Sequence, residues 1–147
     1  MVIGRGCLGR PWLFRDLVEA LNGRPVQASP LLGEACAVMA AHARLLAAHL
    51  GENLAMRDFR KHTSWYLTGY PVGGEVRKRF SGVSTLSELE DLIAALDPTI
   101  RIVEGGERIR RGHTNGPIRV ALPAGYLDHL DDLTVPDDAD VMALSGG

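Results

Sequence analysis

Two stretches of this 147-residue chain carry side chains able to do chemistry. The first is Arg60-Lys61-His62-Thr63-Ser64-Trp65-Tyr66-Leu67, three cationic or protonatable groups set directly against a bulky aromatic pair. Cations of this kind neutralise phosphates and release counterions, which gives affinity for nucleic acid that falls with salt and reads little sequence. The second is Gly4-Arg5-Gly6-Cys7-Leu8-Gly9-Arg10-Pro11-Trp12. Its glycines let backbone N–H groups approach an anion and its arginines offer a bidentate fork, so Gly4 and Arg5 are candidates for holding a phosphate. A bare glycine-arginine turn fits the same residues.

The elements that must position these groups are helical. Pro11 suits a first helical position, and Phe14, Leu17, Val18 and Leu21 follow at helical spacing before Gly23. Ser29-Pro30 reads as an N-cap with proline behind it. It leads into a long stripe of Leu32, Ala35, Cys36, Met39, Ala40, Ala43, Ala47 and Leu50 that ends at Gly51. A third helix is predicted from about residue 53 through Met56, Phe59, Thr63, Tyr66 and Leu67 to Gly69-Tyr70-Pro71. A short fourth spans 75–80, with Val76 and Phe80 inward and Arg77, Lys78 and Arg79 left for solvent. Thr85 and Glu88 form a capping box for a fifth, lined by Leu86, Leu89, Leu92, Ile93 and Leu96 and stopped at Asp97-Pro98. The expected fold class is all-α, a small helical bundle. Residues 98–147, with Gly105-Gly106 and repeated prolines, read as a largely irregular extension apart from a short strand at 118–122.

Composition bounds the rest. At 46% hydrophobic content the chain can bury one modest core. No apolar run reaches the length of a membrane helix, and a soluble cytoplasmic protein is the expectation. Cys7 and Cys36 make neither a CxxC pair nor a zinc spacing, so no metal site and no disulfide framework is expected. His42 and His49 lack ligand partners, while His62, Trp65, Tyr66, Met39, Met56 and Cys36 read as packing residues. The net charge of −2 conceals segregation. Residues 57–79 hold six cations, Arg57, Arg60, Lys61, Arg77, Lys78 and Arg79, against two carboxylates, a polarised field that suits an anionic partner or an ordinary solvated surface. Residues 101–119 hold five arginines against two glutamates, and residues 128–140 hold six aspartates with no Lys or Arg.

Taken together, the Gly4-Arg5-Gly6 turn with Gly9-Arg10-Pro11-Trp12, the Arg60-Lys61-His62-x-x-Trp65-Tyr66-Leu67 segment and Val76-Arg77-x-x-Phe80 resemble the C-terminal part of a bacterial tRNA-dihydrouridine synthase over about residues 1–97. That family joins an FMN-binding (β/α)₈ barrel to a small helical domain and reduces uridine in tRNA with NADPH as electron source. The resemblance implies that residues 1–23 are a remnant of the end of the barrel, with a last strand and loop in which Gly4 and Arg5 contact the FMN phosphate. It implies a tRNA-binding bundle over 24–97, with Arg57, Arg60, Lys61, Arg77, Lys78 and Arg79 as its candidate RNA-binding set, and a flexible extension over 98–147. The family's catalytic cysteine lies in the barrel and its role does not transfer to Cys7, so no catalytic residue is assigned here. The expectation is a chain that binds tRNA, holds no FMN by itself and has no reductase activity alone.

Two other readings of the same residues stay open. A helical module could bind protein, with the acidic tail as its working element. The tail could also fold over the basic patch as a phosphate mimic, in which case removing residues 120–147 raises RNA affinity. Trp12, Leu13 and Phe14 form an apolar face that could drive self-association.

Overall fold

The computed structural model describes residues 2–109 together with Asp128 and Asp131. A single 3-10 turn, Arg5–Cys7, precedes five helices: α1 (Leu13–Leu21), α2 (Leu32–Leu50), α3 (Glu52–Tyr66), α4 (Gly74–Gly82) and α5 (Leu86–Ala94). A further 3-10 turn covers Gly106–Arg108. No strand occurs among the described residues, and the last barrel strand that the resemblance implied is absent from residues 2–4. The helical class expected from the periodicity is the class observed. The expected strand at 118–122 lies outside the described residues, as does the aspartate run apart from Asp128 and Asp131, both exposed.

The core is the seam of an α2–α3 hairpin closed by α4 and α5. Met39 and Ala43 from α2 meet Ala55, Met56, Phe59 and Thr63 from α3, all fully buried, with Phe80, Val83 and Leu89 completing the set. α2 packs on α3 and α5, and α4 bridges α3 and α5. The hairpin turns through Gly51, which sits at φ 79° and lets α3 start one residue after α2 stops.

Helix starts are set partly by local and partly by distant partners. Thr85 caps α5 as its sequence signature predicts: its hydroxyl accepts the Glu88 N–H at 3.1 Å, and the Glu88 carboxylate accepts the Ser84 N–H at 2.8 Å. The start expected at Ser29-Pro30 is corrected to Leu31, whose backbone N–H donates to the Glu34 carboxylate at 2.7 Å. Ser29 is not a cap because its hydroxyl donates instead to the Glu107 carboxylate, and the Pro30 carbonyl accepts the Tyr70 hydroxyl at 2.7 Å.

The stretch from residue 98 also departs from its reading as an extension. Ile100 and Ile102 pack against the core, and Gly106 is buried. Through residue 109 the backbone lies on the helices although little of it is itself helical.

Candidate nucleic-acid interface

The six candidate RNA-binding cations divide by what their side chains touch. Arg60, half-buried on α3, donates from Nε to the Val83 carbonyl at 2.9 Å and so closes the turn between α4 and α5. Arg77, half-buried on α4, donates to the carbonyls of Leu67 at 2.9 Å and Tyr70 at 2.7 Å. Burial pulls its guanidinium below the ordinary arginine value. The reading that left Arg77 for solvent with Lys78 and Arg79 is thereby corrected: each carbonyl of the turn after α3 has a second lone pair beyond its backbone donor, and a cation on the next helix reaches it. Lys61 is exposed and pairs with Asp58 one turn earlier at 2.6 Å, an exposed i, i+3 pair that holds the ammonium only loosely. Arg57, Lys78 and Arg79 are exposed and project from the surface.

Lys78 and Arg79 line an open cleft of about 480 Å³ with Glu75, Gly82, Glu88, Asp91 and Leu92. Arg57 borders a second cleft beside the Gly51 turn. The cations thus lie at two places on α3 and α4 rather than in one stripe, and the acidic side of the first cleft moderates its field.

His62 does not add to this charge. It sits 4.9 Å from His42, 4.8 Å from Trp65 and 5.5 Å from Phe59, centroid to centroid, in a ring cluster between α2 and α3. Burial first, and then His42 and Lys61, push its imidazole down to about 4, with Asp58 opposing. Burial also lowers His42, whose Nδ1 shares a hydrogen bond with the Tyr66 hydroxyl at 3.2 Å. Both rings are neutral at pH 7, and His62 packs as its sequence context led us to expect. His42 and His49 do not share an environment, since His49 is exposed. Buried Cys36 has its thiol raised to about 11 by desolvation, which leaves it unreactive.

At the N-terminal loop, Arg5 is exposed and an added Cβ at Gly4 would meet open space. The Cys7 thiol donates to the Gly4 carbonyl at 3.2 Å, a structural contact. These residues fit a single phosphate contact. The loop is seated by Gly9, buried at φ 62°, where a Cβ would fall 2.2 Å from the Trp65 carbonyl carbon. Trp12 is half-buried on the core and not on an exposed face. On α1 the apolar residues left outside are Phe14, Val18 and Leu21, at 51%, 51% and 70% exposure.

Among the described residues no cluster of His, Cys, Asp or Glu could hold a metal ion, and no helix is long and apolar enough to cross a membrane.

A helical unit with this loop and these cations matches the family model for dihydrouridine synthase over residues 1–100, and the chain belongs to that family. It is 48% identical over its whole length to the protein named "Probable tRNA-dihydrouridine synthase" of Mycobacterium tuberculosis, of which it covers 37%. It is 49% identical to the protein of that name from Mycobacterium leprae, covering 38% of it. Over 83 residues, 56% of the chain, it is 36% identical to tRNA-dihydrouridine synthase B of Pseudomonas putida, of which it covers 25%. The chain therefore spans little more than a third of the length of the mycobacterial relatives.

Two consequences can be measured. Arg77→Ala removes two hydrogen bonds from the half-buried turn, whose Leu67 and Tyr70 carbonyls keep only the Tyr70 and Val72 N–H groups, and is expected to lower stability by about 1–3 kcal/mol in urea unfolding, whereas Lys78→Ala changes it by less than about 0.5 kcal/mol. The second concerns pH. Because the folded-state value of His62 lies below the 6.5 of a free imidazole, the unfolded chain binds protons first as pH falls. The stability tied to the neutral ring is complete above about pH 6.5 and is lost progressively toward pH 4. The urea midpoint is expected to drop across that window, with a shallower drop in His62→Phe.

Proposed function

We propose that this chain is the tRNA-docking portion of a tRNA-dihydrouridine synthase, acting in the cytoplasm, and that alone it binds tRNA without catalysis. The observation that carries the reading is the set of exposed cations on α3 and α4, Arg57, Lys61, Lys78 and Arg79, on a chain of this family. Their side chains can reach phosphates with no rearrangement of the fold, and Lys61 has only an exposed pair to give up. Arg60 and Arg77 serve the surface from beneath. They hold the turns at the two ends of α4, the helix that bears Lys78 and Arg79, and still contribute positive charge.

In this reading the reduction of uridine, for which FMN and NADPH supply the electrons, is performed by the remaining two-thirds of the enzyme. Gly4 and Arg5 contribute a contact to the FMN phosphate, and a flavin held by that contact alone dissociates. The apolar face of α1, with Phe14, Val18 and Leu21, supports a second reading in which two copies of the chain associate.

The test is binding of the 147-residue chain to labelled, unmodified tRNA across a salt series. Affinity is expected to fall steeply with salt, and the log–log slope to shrink by roughly one per exposed cation removed, as in Arg57→Ala, Lys61→Ala or Lys78→Ala. Absence of binding at low salt would overturn the reading and leave the protein-association alternative, which size-exclusion chromatography of Val18→Asp beside the parent chain decides.

A further inference from the structure

Residues 98–109 touch three separate parts of the unit. Near the start of α2, the Pro98 carbonyl accepts the Gly33 N–H at 3.0 Å and the Ile100 carbonyl accepts the Leu32 N–H at 2.9 Å. At the turn after α3, the Val103 N–H donates to the Gly69 carbonyl at 2.9 Å. There the Ile102 side chain is wedged between Gly69 and Gly106, so closely that a Cβ on either would lie within 2.8 Å of it. At the N-terminal loop, the Arg10 guanidinium donates to the Glu107 carbonyl at 2.9 Å, while the Glu107 carboxylate holds Ser29. The Arg10 Nε is buried beneath this contact and has no hydrogen-bond partner, so an arginine is drawn under the segment at some energetic cost. Apolar anchoring at Ile100 and Ile102 offsets it.

The family model ends at residue 100, whereas the mycobacterial relatives align through the segment and beyond.

We propose that residues 98–109 are a strap that fixes loop 5–10 at a set place on the bundle, with Arg10 and Ile102 as its positioning residues. This deepens the function proposed above and rests on it for its purpose: the loop bearing Gly4 and Arg5, which faces the flavin phosphate, and the surface that docks tRNA are held as one body. Delivering a uridine to a reactive centre tolerates little play between the two, since an error near 1 Å can cost on the order of a hundredfold in rate. The strap removes that play without touching either ligand.

Amide hydrogen exchange of the 147-residue chain, followed by NMR, tests this independently of RNA. The reporters are the Leu8 and Arg10 amides, which donate to Arg5 and Cys7 within the loop. In Arg10→Ala their exchange is expected to rise about tenfold, with α4 and α5 amides unchanged and with Arg10→Lys restoring most of the protection. Ile102→Ala gives the same local pattern and Ile102→Val recovers it. Loop exchange within about twofold of the parent chain in both alanine variants overturns the strap, as does a uniform rise across every helix, which marks general loss of packing. Should Ile102→Ala fail to fold, Arg10→Ala still decides the matter. The tRNA affinity of Arg10→Ala, measured alongside, is expected to stay within about twofold. If the parent chain binds no tRNA, the docking function fails while the exchange data still settle whether the strap holds the loop.

Discussion

The turn that follows α3 accepts hydrogen bonds from distant parts of the chain as well as from its own backbone, and the rest of the described unit closes around it. Leu67 and Tyr70 receive the Arg77 guanidinium from α4, and Gly69 receives the Val103 amide. Buried Thr63, one turn earlier, lies 2.7 Å from the Arg60 carbonyl and 3.2 Å from that of Phe80, tying α3 to the end of α4. Tyr70 extends the junction by donating its hydroxyl to Pro30 ahead of α2. Added to the local backbone bonds, these contacts join one turn to three other parts of the chain. The helices would pack in many ways; this turn selects one.

Charge in this protein is therefore shared between structure and surface. Of the Arg60-Lys61-His62 triplet, Arg60 is engaged by a carbonyl, His62 is neutral within a ring cluster, and Lys61 projects. A run that looks like three adjacent positive groups presents one exposed cation, and the additional exposed charge comes from Arg57 one turn before and from α4. The neutral imidazoles favour the seam itself: α2 and α3 can close over His42 and His62 at pH 7 without burying a charge.

How far the sequence discloses this follows from the range of each interaction. Apolar spacing made all five helices readable, and the Thr85–Glu88 signature located the start of α5 because the partners lie within one turn. The start of α2 was misplaced because Ser29 answers to Glu107, 78 positions away, which no local pattern contains. Arg60 and Arg77 looked like solvent-facing cations because exposure of a long side chain depends on which carbonyls come within its reach. The strap was hidden by its glycines and charges, yet Ile100 and Ile102 alternate with Arg101 in the manner of a segment with one side against a core. That alternation was the available signal.

The seat of the N-terminal loop has an evolutionary corollary. Gly9 meets α3 through the backbone of Trp65 and Tyr66, not through their side chains. No exchange of side chains at 65 or 66 can make room for a Cβ at position 9, so the two places have no means of compensating one another. Covariation among homologues, which registers paired side-chain replacements, will be blind to one of the closest approaches in the molecule.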